Sequence, residues 1–211
     1  MRRLALIAVL AAVSLATVPG EAANKKPQIV DPPNDALGAQ PATEIVSALW
    51  TTTGETVTTK VRGRRVTQYT PKKLVATLNL AAAPMSTAPF SYETSAVVAG
   101  CGLVRFVYTP GTVYSQIVSD RFLWYDCGPG DAFQGPGLTL VPNIAMKIGP
   151  TSITWEYAIK AFGKSVKVGA PVTDFRAAVN VVDPVIGELG TNYVAQPVDE
   201  GTSTVVWKLG S

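Results

Sequence analysis

From residue 44 to the end of the chain, polar and apolar residues alternate with a period of two, the signature of half-buried strands. Residues 44–53 put Val46, Ala48 and Trp50 on one face and Ile45, Ser47 and Leu49 on the other. Residues 73–82 set Leu74, Ala76, Leu78 and Leu80 against Thr77 and Asn79. Residues 92–99 and 103–109 are β-branched and aromatic runs, and 113–118 pairs with 121–127 across Ser119-Asp120. In 152–160, Ile153, Trp155, Tyr157 and Ile159 alternate with Thr154, Glu156, Ala158 and Lys160. Phe175, Ala177, Val179 and Val181 share one register, and Val205, Trp207 and Leu209 another. Turn signals punctuate these runs: Pro110-Gly111, Gly128-Pro129-Gly130-Asp131, Gly135-Pro136-Gly137 and Gly149-Pro150. About nine or ten such strands predict an all-β, antiparallel β-sandwich with very little helix, at most one turn within 141–148.

One segment departs from the core pattern. Residues 55–70, ETVTTKVRGRRVTQYT, are rich in threonine and thin in large apolar groups. Val57, Val61, Val66 and Tyr69 flank the basic run Arg62-Gly63-Arg64-Arg65, with Lys60 just before it. The pattern predicts a polar hairpin with a basic tip. The tip either touches an anionic polymer of the cell wall or is a solvated turn whose charges discourage edge pairing.

The N-terminus has the build of an export signal. Arg2 and Arg3 precede an uncharged apolar run over 4–18, and Gly20-Glu21-Ala22 supplies small residues for cleavage after Ala22. That run is short for a membrane span. The expected organisation is a signal peptide over 1–22, a flexible mature N-terminus over 23–30 and one domain over 31–211, secreted, with no membrane span after cleavage. The formal net charge is +3, and the leader removes only Arg2, Arg3 and Glu21, so the mature chain stays near balance and nucleic acid is not an expected partner.

Histidine is absent. Ser-His-Asp and Cys-His machinery, histidine-ligated zinc and histidine-bound haem are therefore excluded. Cys101 and Cys127 are the only cysteines; in an exported chain they read as a disulfide, the alternative being two buried thiols. Closing a loop of about 25 residues stabilises by about 3–3.5 kcal/mol in the chain-entropy model.

The stretch DPPNDALGAQPATEIVSALW, residues 31–50, concentrates oxygen donors beside a double proline. Calcium takes six to eight oxygen ligands. Asp31, Asn34 and Asp35 offer side-chain oxygens from one turn, and Glu44 reaches them if its strand runs alongside. The spacing is not that of an EF-hand. The competing reading is an Asx-Pro turn whose side chains bond nearby amides.

This stretch, with KLVATLNLAAAP and TSITWEYAI, resembles secreted bacterial β-sandwich domains of the DOMON-like superfamily, which includes carbohydrate-binding modules of xylanases. Those domains often open with Asp-Pro-x-Gly-Asp-Ala, continue with Asp-Ile and carry an L-x-V-x-L-x-L strand. The resemblance implies a jelly-roll-like sandwich, in some members with calcium near the N-terminal acidic turn. Asp31 and Asp35 match that turn; Asn34 stands in place of glycine and Glu44 in place of aspartate. Haem, bound through Met and His in some relatives, is set aside because Met85 and Met146 have no histidine to join.

Sugar-binding sandwiches stack pyranose faces on exposed aromatic rings. Trp155 and Trp207 lie among aliphatic neighbours and read as core, while Trp50 is ambiguous. In RFLWYDC, Phe122 and Trp124 share one face, opposite Leu123, Tyr125 and Cys127, which makes Phe122 and Trp124 the candidate ligand platform. A glycosidase needs two carboxyl groups about 5–10 Å apart. Asp120, Asp126, Asp131 and Glu156 are acidic, but no motif links any two, and no nucleophile elbow, phosphate loop or dinucleotide fingerprint is present. The expectation is a non-catalytic extracellular binding module for saccharide or cell-envelope polymer. Its alternatives are a structural or protein-interaction domain without a small ligand and, behind both, a glycan-active enzyme.

Overall fold

The computed structural model describes residues 17–21, 26–36, 40–61, 64–86, 90–110, 121–127, 139–164, 166–187 and 190–210. For 17–21, 121, 122, 124, 182–187 and 190–195 it describes the main chain alone. The strands are β1 (Thr17–Glu21), β2 (Ile29–Val30), β3 (Ile45–Val61), β4 (Arg64–Leu80), β5 (Phe90–Val98), β6 (Gly102–Tyr108), β7 (Arg121–Tyr125), β8 (Thr139–Pro142), β9 (Ala145–Ile148), β10 (Ser152–Ala158), β11 (Pro171–Gly187), β12 (Gly190–Ser203) and β13 (Trp207–Lys208). A single 3-10 turn, Ile159–Phe162, is the only helical element among the described residues.

Two antiparallel sheets pack face to face. The first runs β1-β3-β4-β10-β9, with β2 also on β3; the second runs β12-β11-β5-β6-β7-β8, with β13 also on β11. The all-β sandwich read from the alternation is therefore the fold. The alternation places the core directly: Leu74, Ala76, Leu78 and Leu80 on β4, Ile153 and Trp155 on β10, and Phe175, Ala177 and Val179 on β11 are all buried. Trp50 lies edge-on to Phe106 at 5.4 Å and to Phe175 at 5.9 Å, joining the two sheets. Its indole Nε1 donates to Thr94 Oγ1 at 2.9 Å, so the ambiguous tryptophan is a core residue with its polar atom satisfied.

Cys101 and Cys127 form the disulfide, with Cα atoms 4.4 Å apart. It ties the turn between β5 and β6 to the chain leaving β7.

Four differences from the sequence reading have physical causes. A register shift between Ile45 and Ser47 turns Ile45 inward and leaves Val46 46% exposed, the reverse of strict alternation. The stretch expected to hold a helical turn, 141–148, is instead the end of β8 and the whole of β9, joined through Asn143 at a left-handed φ of 54°. The helical turn comes later, where the strand expected to reach Lys160 ends at Ala158. Finally, the last residues of the expected flexible N-terminus are in the fold: Ile29 pairs with Ala48 and is 2% exposed. The expected strand 113–118 and the glycine turns at 128–130 and 135–137 lie outside the described residues. So does the whole of the leader except Thr17–Glu21, which pairs antiparallel with β3 from Val57 back to Thr53.

The hairpin β3–β4 is longer than the sandwich. A second register shift, between Thr53 and Gly54, pairs Thr53 with Lys73 and Gly54 with Pro71. A Cβ on Gly54 would lie 2.1 Å from the Thr70 carbonyl oxygen, so only glycine allows this approach. Beyond it, nearly every residue from 55 to 70 is exposed or half-buried, and the hairpin continues as an arm outside the core.

Candidate functional site

Two features stand out: an acidic corner at one end of the sandwich and a lateral groove where β8 passes to β9.

The corner is built by the loop that leaves β2 towards β3. Asp31 N donates to Val46 O at 3.2 Å, which fixes the start of the loop against the bulge of β3. Asn34 takes a left-handed φ of 65°, a conformation asparagine tolerates, and reverses the chain. The reversed loop delivers two amides to Glu44: Asn34 N donates to Oε1, and Ala36 N donates to Oε2 at 3.3 Å. Asp31 and Asp35 then meet Asp199 of β12, with one oxygen of each within 4.8 Å of the others. Asp199 is turned inward beside a register shift in the β11–β12 ladder, and its Oδ2 accepts from Ile45 N at 2.5 Å.

Of the four residues read from sequence as calcium ligands, the structure thus brings Asp31 and Asp35 together. Asn34 makes the turn, and Glu44 is occupied with the loop amides. Asp199 was missed because it lies more than 150 positions away in a different hairpin; the only signal is the run Pro197-Val198-Asp199-Glu200-Gly201, where a proline and a glycine bracket two acids.

The corner is electrostatically unfavourable as it stands. The Asp31 carboxyl is pushed up to about 6, first by burial and then by the charges of Asp199, Asp35 and Glu44. Burial also raises the Asp199 carboxyl, against the opposing bond from Ile45 N. Asp31 Oδ2 is shielded from solvent and has no hydrogen-bond partner among the described residues. Gly201 makes room for this: a Cβ there would sit 2.7 Å from Asp31 Oδ1 and 2.7 Å from Ile29 Cγ2. Clustered hard carboxylate oxygens, one of them shielded and unsatisfied, match the donor set of calcium.

The groove has a volume of about 350 Å³ and is lined by Pro142 and Asn143 on the β8 side and by Lys73, Glu156 and Tyr157 on the β4–β10 side. Lys73 Nζ donates to Glu156 Oε2 at 2.6 Å across the strands. The Tyr157 ring is held edge-on to Phe162 at 5.1 Å and lies 6.1 Å from Tyr125. Its hydroxyl is pushed up to about 12, chiefly by burial and then by Tyr125, so it stays a neutral donor at ordinary pH. Of the ligand platform read from sequence, the main chain alone is described: Phe122 pairs with Pro142, a groove residue, and Trp124 with Leu140. Between and after them, Leu123 and Tyr125 are buried in the core, as the alternation required.

Among the acids considered for catalysis, Glu156 is ion-paired and Asp126 Oδ2 accepts from Leu103 N at 2.9 Å. Asp120 and Asp131 lie outside the described residues. No family model, curated protein or solved structure matches the chain. The likeness to DOMON-like domains therefore rests on the sequence motifs alone.

Proposed function

We propose that the chain is an exported, non-catalytic binding module that takes a saccharide or envelope-polymer segment in the β8–β9 groove. The observation that carries this reading is the groove itself. It brings one aromatic residue, Tyr157, and the polar residues Lys73, Glu156 and Asn143 to the lining of one groove, the residue types a small-ligand site uses. Only one residue lining it, Glu156, carries a carboxylate, and Lys73 already neutralises it, which favours binding over glycoside hydrolysis. The apolar leader supports export with cleavage after Ala22, and the disulfide fits an oxidising compartment. The likeness to xylanase carbohydrate-binding modules points to the same ligand class.

Calcium is the cofactor of this reading. Asp31, Asp35 and Asp199 would hold it, and its charge would relieve the repulsion among the three carboxylates, tying the N-terminal loop to β12. Extracellular modules bind calcium at about 10⁻⁴–10⁻³ M, within reach of so small a set of acids.

The groove is tested by titrating neutral oligosaccharides into wild type and Tyr157→Ala and measuring heat. Binding that the substitution abolishes, in a variant that stays folded at the titration temperature, supports the reading. Absence of heat across a broad glycan panel, with a protein recovered on the same domain, favours the interaction-domain alternative.

A further inference from the structure

The arm formed by β3 and β4 beyond Gly54 and Pro71 carries its charge in an unusual arrangement. At its base, cations are neutralised: Lys72 lies 3.6 Å from Glu55, and Lys73 lies 2.6 Å from Glu156. Towards the tip this stops. Lys60 stands directly opposite Arg65 in the ladder, and Arg64 opposite Val61. Lys60, Arg64 and Arg65 are all exposed, and among the described residues none has an acidic partner. Arg62 adds a fourth cation to the same stretch of sequence, and no acid follows Glu55 until well beyond the arm.

Like charges placed directly across a sheet destabilise it. The arm gains nothing in folding from the Lys60–Arg65 juxtaposition, and it buries no core that would demand those residues. The face that holds the pair is otherwise hydroxyl-bearing. Thr58 and Thr67 meet on it at 3.1 Å between Oγ1 atoms, and Thr56 faces Tyr69. The opposite face carries Val57, Val61 and Val66 with Thr59, Gln68 and Arg64. One side of the arm therefore presents two cations, Lys60 and Arg65, side by side near its tip, with hydroxyl donors behind them at steps of about 6.6 Å along each strand, while Arg64 places a third cation on the other side. That arrangement suits a chain of phosphodiesters and sugar or polyol hydroxyls laid across the tip: the cations meet phosphate, and the threonines behind them meet the neighbouring hydroxyls.

We infer that the basic arm, through Lys60, Arg64 and Arg65, is a docking surface for a phosphate-bearing anionic polymer of the cell envelope. The inference rests on the export and envelope-binding reading but uses a surface separate from the groove.

The probe is poly(glycerol phosphate), titrated into the exported protein at low salt. Binding is expected, weakening with salt along a log–log slope of about −2 if three phosphates are neutralised as on a flexible polyanion. The variant K60Q/R64Q/R65Q is expected to lose at least about tenfold in affinity, with the slope reduced towards zero. Its melting temperature should be unchanged or higher, since repulsion is removed. Lys60→Glu is the second variant: it pairs with Arg65, so the arm is stabilised while binding falls. Unchanged affinity in the triple variant overturns the inference, as does no binding of the polymer at low salt. Tighter retention on anionic phospholipid vesicles than on the polymer, at equal phosphate, overturns it in favour of a membrane surface. The groove reading fails separately, on neutral oligosaccharides and Tyr157→Ala, and the export reading fails on an uncleaved N-terminus in cells.

Discussion

The side-chain amide of Gln28 satisfies both main-chain groups of Trp50: Trp50 N donates to Gln28 Oε1 at 2.6 Å, and Gln28 Nε2 donates to Trp50 O at 3.0 Å. A side chain here takes the place of a strand, extending the short β2 pairing by one rung along the edge of β3. Residues 28–30 are thus structural. Gln28→Ala is expected to cost about 1–3 kcal/mol, because it strands two buried main-chain groups. Ile29→Ala should cost about 2–5 kcal/mol by opening a cavity. Denaturant melts of chains beginning at Ala23 and at Asp31 check the same point. The shorter chain should unfold at clearly lower denaturant, and coincident curves would show that this segment contributes nothing.

Asp31 gives the corner a pH response with a definite sign. Its carboxyl titrates at about 6 in the folded chain, against an ordinary value of 3.8. Between these values the folded state holds the proton more tightly than the unfolded state, so stability falls as pH rises through the window. Asp199 is shifted in the same direction. With no histidine in the chain, few other groups titrate there. The calcium-free protein is expected to melt at higher temperature at pH 5 than at pH 7. Millimolar calcium should raise the pH 7 melt and flatten the difference. A calcium-free melt that rises with pH, or a pH 7 melt indifferent to calcium, would rule out the corner as a cation site.

Gly201 tests the same corner from the other strand. An added Cβ would overlap both Asp31 Oδ1 and Ile29 Cγ2 at 2.7 Å, so Gly201→Ala must displace the Asp31 carboxylate and the Ile29 side chain. Overpacking of this kind costs about 1–3 kcal/mol. The calcium-induced rise in melting temperature should disappear in the same variant, because Asp31 and Asp199 separate. Retention of the full rise would mean that calcium binds elsewhere.

The sandwich was legible in the sequence because burial on one face imposes period two: the runs at 44–53, 73–82, 92–99, 103–109 and 174–182 are strands nearly end to end, while of the last run only Trp207–Lys208 is one. Trp155 and Trp207 were placed in the core for the same reason. Bulges were not legible. The shift between Ile45 and Ser47 inverts two residues without leaving a glycine or proline to mark it. The two-residue strand β2 was hidden because a pattern needs more than one period to be seen, and its partner Gln28 acts through a side chain. Asp31 and Asp35 were legible as neighbours in one loop. Asp199 was not, because only the pairing of β12 with β11, and the packing of that hairpin over Ile45, brings it to the corner.

The outer face of the second sheet carries a charge ladder that separates buried from exposed electrostatics. Glu93 on β5 is 6% exposed. Its Oε1 accepts from Arg176 Nη1 on β11, and its Oε2 lies 3.8 Å from Arg105 Nε on β6. Arg176 also grips Glu200 of β12 through two bonds, at 2.8 and 3.0 Å, and holds the Glu200 carboxyl below its ordinary range. The two acids share one cation yet should respond differently to loss. Glu200 is exposed, so Glu200→Ala is expected to cost under about 1 kcal/mol. Removing Arg176 leaves Glu93 buried with only the longer contact to Arg105. Arg176→Ala should therefore cost about 2–3 kcal/mol, below the range for a fully enclosed pair because Arg176 is itself partly exposed. The double variant E93Q/R176M should recover most of that loss, since no uncompensated charge remains. Equal losses for Glu200→Ala and Arg176→Ala in denaturant titrations would show that burial of Glu93 does not govern the ladder.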